Sequence, residues 1–175
     1  MNDIKHFNEE YLKAAKLGSK LGYLSNINVD EAQSMALANL NEAQINALTK
    51  SSLCVATPSI SSWMLSETQS HNPNKSDYSA EVYDLNYLYL STAKYVCAKN
   101  PKLATLTMGL DFDVACKMAL LTKKDIKRIA TSRPLLFKLS IPSLTLRGVA
   151  RLPGHATRNL HLIPMLSNHH YARAQ

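Results

Sequence analysis

Apolar residues return at spacings of three and four over two long stretches of the chain. Ile4, Phe7, Tyr11, Ala14 and Leu17 mark the first, and Val82, Leu85, Tyr89, Thr92 and Val96 mark the second. That period puts them on one side of a helix, so each stretch predicts a long amphipathic helix with one face for a core. Asn100-Pro101 ends the second, because proline lacks the amide that would continue the helix.

Two shorter helices are predicted behind each long one. Asn28, with Glu31 three residues on, forms a start of capping-box type, and Asn41 with Gln44 forms another. In the second half Asp111 takes the first cap role, and Thr122 with Asp125 repeats the later box. Thr131-Ser132-Arg133-Pro134 closes that pair, since proline disfavours helix in the residue before it. Ser66–Ala80 is polar and holds Pro73, which predicts a linker. Beyond Pro142 apolar spacing resumes at Leu144 and Leu146, and Pro153-Gly154 marks a turn. A last helix is predicted over Thr157–Leu166, broken by Pro164, with Asn168–Gln175 frayed.

The same order of elements recurs because the residues recur. Tyr11, Leu12, Ala15 and Lys16 match Tyr89, Leu90, Ala93 and Lys94 at an offset of 78. Ala32, Met35, Ala36 and Leu37 match Ala115, Met118, Ala119 and Leu120 at an offset of 83. After a two-residue deletion, Leu40 and Ile45 match Leu121 and Ile126 at an offset of 81, and Ser59-Ile60 matches Ser140-Ile141. The expected architecture is all-α, with two diverged helical units in tandem: unit one over 1–65, a linker over 66–80, and unit two over 81–175.

Charge separates the halves. Residues 1–75 carry six Lys or Arg against seven Asp or Glu, a balance of −1. Residues 76–175 carry fourteen against six, a balance of +8. Asp125 is the last acidic residue, and Lys127, Arg128, Arg133, Lys138, Arg147, Arg151, Arg158 and Arg173 follow it. Such a one-sided run suits a polyanion or an acidic partner subunit. Lys123, Lys124, Lys127 and Arg128 share one helical face, whereas unit one has Glu42, Ala43, Asn46 and Ala47 at those places. This face is expected to meet the phosphate backbone, with Arg133, Lys138, Arg147, Arg151 and Arg158 extending the path. Lysine acts as a point charge, so affinity rather than base specificity is expected there. The stretches Asp111–Leu120 and Thr122–Ser132 have the order of a helix-turn-helix, but the turn is tight and no Arg, Asn or Gln cluster marks a reading helix.

Other chemistry is thin. Cys54, Cys97 and Cys116 are far apart and form no C-x-x-C pair, so reduced thiols are expected rather than a zinc site. His155, His161, His169 and His170 lie across a segment broken by proline and glycine, and their spacing fixes no tetrahedron. No phosphate loop, nucleophile elbow or H-E-x-x-H occurs, and no enzyme is expected. Trp63 and Met64 suit either a core or an anchor for a partner helix. The first residues hold no apolar core of a secretory signal, and no run of 18 apolar residues occurs, so a cytoplasmic protein is expected.

Tyr83-Asp84-Leu85-Asn86-Tyr87-Leu88-Tyr89-Leu90, followed by Ala93-Lys94, resembles the opening helix of the FlhD family. Met108–Ala130 resembles the helix pair that follows there, and Leu160–Ser167 the family's C-terminal helix; residues 8–60 are similar more faintly. The resemblance implies a transcription activator subunit that joins an FlhC-like partner on double-stranded promoter DNA, with RNA polymerase as a further contact. It implies no cofactor of its own, zinc being expected only in the FlhC-like partner. Two units in one chain would imitate an FlhD dimer covalently, a form similar to the FlhD-like activators of conjugative plasmids and integrative elements. The alternative is a scaffold that stabilises a DNA-binding partner without touching DNA.

Overall fold

The computed structural model describes residues 2–22, 28–66, 79–131, 134–153, 160 and 163. The described chain is mainly helical, as its apolar periods predict. By contacts it groups into two compact units: Met1–Thr57 with Lys138–Gln175, and Pro58–Phe137.

The first unit is built on helix α1 (Asn2–Leu21), against which α2 (Glu31–Ala38) and α3 (Glu42–Thr49) pack. Its core holds Ile4, Phe7, Tyr11, Leu12 and Ala15 of α1 with Leu37, Ile45 and Leu48. The buried stripe of α1 continues through Ala15 and Gly18, whereas Leu17 is exposed, so the face rotates away from the simple expectation. The chain leaves this unit through strand β1 (Ala56–Pro58).

The second unit opens with the short α4 (Ser62–Ser66) and is built on α5 (Ala80–Lys99). Val82, Leu85, Tyr89, Thr92 and Val96 are all buried there, as their spacing predicts. Asn100 ends α5 and at once caps α6 (Pro101–Met108), with Pro101 in the first turn where its missing amide is harmless. The break was foreseen and the helix behind it was not. Gly109 closes α6 at φ +66°, a left-handed conformation that glycine adopts without strain. Helices α7 (Phe112–Leu120) and α8 (Lys123–Thr131) then cover α5. Strand β2 (Phe137–Leu139) returns the chain to the first unit, where α9 (Ser143–Arg151) packs on α2.

The short strands, which the helical periods gave no reason to expect, form a two-stranded sheet. In the first unit the Ser140 amide donates to the Val55 carbonyl at 2.8 Å; in the second the Ser59 amide donates to Leu136 at 2.7 Å. A buried asparagine holds each approach. Asn8 Nδ2 donates to Leu53 O at 2.8 Å, and its Oδ1 accepts from the Val55 amide at 3.0 Å. Asn86 does the same with Pro134 O and the Leu136 amide, both at 3.0 Å.

The cap of α2 differs from expectation. Asp30, not Asn28, accepts from the Gln33 amide at 2.6 Å, and Gln33 Oε1 accepts from the Asp30 amide at 3.1 Å. Asn28 lies two residues outside at φ 50°. The box at Asn41 and Gln44 forms as predicted, and so does that at Thr122 and Asp125. Asp111 occupies the cap position of α7, but its side chain makes no cap bond.

Candidate nucleic-acid interface

Helix α8 is short and strongly two-sided. Ile126, Ile129 and Ala130 are 4%, 3% and 1% exposed and face the core of the second unit. Lys123, Lys124 and Lys127 are exposed on the other side, with Arg128 half-buried beside them. The Thr122–Asp125 box fixes where this helix begins, and therefore which side the lysines take. The Thr122 hydroxyl and amide donate to Asp125 Oδ2 at 2.6 and 2.9 Å. These bonds, with Arg128 and Lys124 nearby, hold the Asp125 carboxyl below the usual carboxylate range. Arg128 Nη2 lies 3.9 Å from Asp125 Oδ1, so part of its charge is answered internally. The three lysines make no ion pair among the described residues and present a cationic face of the kind that phosphates attract.

The remaining basic candidates fall elsewhere. Lys138 is the exposed middle residue of β2, and Arg147 and Arg151 share the outer side of α9. Both elements belong mainly to the first unit, whereas α8 belongs to the second, so the described structure groups Lys123, Lys124, Lys127 and Arg128 on one helix and Arg147 with Arg151 on another. Arg133 and Arg158 lie outside the described residues, as do the four histidines and most of the expected last helix. Trp63 is in α4, with its side chain outside the description, and Met64 next to it is half-buried. Among the described residues no cluster of His, Cys, Asp or Glu is arranged to hold a metal ion. Burial pushes the Cys54 and Cys97 thiols up to about 12, so neither is a reactive thiolate near neutral pH.

Two glutamines matter more than their place in capping boxes suggested. Gln33 Nε2 donates to Leu139 O and Ile141 O at 3.3 and 2.9 Å, and Gln44 Nε2 donates to Val149 O and Leu152 O at 2.7 and 3.0 Å. Each uses its oxygen for its own helix and its nitrogen for the returning segment. The cap role of Gln44 was predicted and that of Gln33 was not, and in both a donor whose partners lie more than a hundred residues away leaves no local mark.

No described helix is long and apolar enough to cross a membrane. Comparison with curated proteins and with solved structures finds no match. Comparison with protein families matches residues 70–171 to FlhD, described as the flagellar transcriptional activator, a span that takes in α5 to α9 and the whole basic helix. That span is more than half of the chain, and the chain belongs to the FlhD family of transcriptional activators.

Proposed function

We propose that this chain is an activator subunit that joins an FlhC-like partner on promoter DNA, and that it does so as two diverged FlhD-like units in one polypeptide. The observation that carries the DNA role is α8: three exposed lysines opposite a buried apolar side, inside the matched span. Lysines on a nine-residue helix grip phosphate by charge and leave base reading to another surface. The transfer genes of a mobile element are the target class that the resemblance implies.

Duplication is supported by bonds as well as by residues. Asn8 and Asn86 are 78 apart and hold the backbone at Leu53 and Val55, or Pro134 and Leu136, in the same way. From the cap of the second helix onward the burial pattern follows a single offset of 81. Asp30 and Asp111 both stand at the cap position of their helices; Leu37 and Met118, Leu40 and Leu121, Ile45 and Ile126 are all buried. The identities at an offset of 83 pair buried Leu37 with exposed Leu120, and exposed Met35 with buried Met118; burial therefore needs no deletion.

The deciding experiment is an electrophoretic shift on promoter DNA with and without the FlhC-like subunit. A shift that needs both proteins supports the hetero-complex, and a shift by this chain alone refutes the need for a partner. Changing Lys123, Lys124, Lys127 and Arg128 to Glu is expected to flatten the log–log salt slope by about 3.6 on B-DNA. An unchanged slope removes α8 from the interface and favours the scaffold that touches only its partner.

A further inference from the structure

Helix α9 has an inner side that is fully used. Leu146 and Val149 are buried, and Gln44 ties down the carbonyls at its end. Its outer side carries Leu144, Arg147, Gly148 and Arg151, at i, i+3, i+4 and i+7, which is one continuous stripe. Leu144 is 77% exposed, and both arginines are exposed with no ion pair among the described residues. The sequence from Lys138 onward holds no carboxylate side chain to answer them.

Gly148 is the telling residue. Glycine is a poor choice within a helix, and here its backbone is not left-handed. A Cβ added there would meet no atom within 4 Å, so the chain's own packing does not require a glycine. What its absent side chain permits is close approach by a surface from outside.

This stripe differs in chemistry from α8. Lysines alone suit phosphates, and a protruding leucine adds nothing there. Guanidinium pairs bidentately with phosphates and carboxylates alike, so the exposed leucine decides: it gains by burying against an apolar residue of a protein, where the arginines meet carboxylates. We propose that the outer stripe of α9 docks an acidic amphipathic helix of the FlhC-like subunit, with carboxylates on Arg147 and Arg151, an apolar residue on Leu144, and the backbones closest at Gly148. The basic positions are thereby divided, α8 for DNA and α9 for protein. This inference rests on the activator reading above, since that reading supplies the partner.

The test is the association of the two proteins without DNA, measured by calorimetry, with thermal unfolding of each variant as a control for folding. Arg147→Glu with Arg151→Glu is expected to weaken association by about tenfold or more. Gly148→Ala is expected to raise the melting temperature of the free chain yet weaken the complex, opposite signs that a merely structural role does not give. Lys123→Glu with Lys124→Glu is expected to leave protein association unchanged and weaken DNA binding. Wild-type association followed by an unaffected arginine variant overturns the inference alone. So does an arginine variant that loses DNA but keeps its partner, since α9 is then a phosphate face. Self-association of this chain abolished by the arginine change also overturns it, with a second copy as the occupant. No association of the wild-type proteins overturns both the inference and the activator reading.

Discussion

A glutamine amide has one acceptor and two donor hydrogens, and Gln44 uses both ends while 1% exposed. Its oxygen closes the cap of α3, and its nitrogen serves two carbonyls at the end of α9. Gln44→Ala leaves these groups without partners and is expected to cost about 1–3 kcal/mol in chemical denaturation. Gln44→Glu keeps the acceptor but turns a carboxylate toward carbonyl oxygens. It is expected to cost more than alanine at neutral pH, and less as the pH falls and the acid gains a proton to donate. Equal stability of the glutamate variant and the wild type at neutral pH would refute the bonding scheme. The first role of Gln44 was legible from its distance to Asn41. The second was not, because its partners come from the far end of the chain. Asn8 and Asn86 left a signal that was missed: one polar residue type at matching places on two buried faces.

Helix α8 shows what an element adds to its residues. Nine residues make a marginal helix alone, so its start depends on the Thr122–Asp125 box and its position on Ile126 and Ile129. The Asp125 carboxyl is held below its unfolded value of about 3.9. Its contribution is therefore fully present above that value and is lost as pH falls through the lower, folded value. Amide exchange in the first turn of α8 is expected to quicken as pH drops below about 4, beyond the intrinsic trend, and not to do so in Asp125→Asn. An identical pH response in the two proteins would refute this. The helix, its box and its two sides were all readable from sequence. The start of α2 was misread, because Asn28 with Glu31 has the same capping spacing as Asp30 with Gln33.

At the scale of the whole molecule, packing does not follow chain order. Boundaries at 65 and 81 were drawn from residue identities in the sequence, whereas compact packing joins 1–57 with 138–175. Composition and helical period cannot show this, since the crossing is made by two strands of three residues each. Fragments 1–66 and 79–175, produced together, are expected to copurify in equal amounts. Fragment 1–66 alone is expected to lack cooperative unfolding, because Gln33 and Gln44 lose their partners and α2 loses α9. Cooperative unfolding of that fragment by itself would refute the dependence. The crossing also sets an order of events on the ribosome, where a chain appears from its N-terminus. Helices α1 to α3 emerge first but wait for α9, while Pro58–Phe137 is complete earlier. The segment synthesised first therefore belongs to the unit that closes last. In the interval its apolar face, with Phe7, Tyr11 and Leu37, is the surface a nascent-chain chaperone would meet.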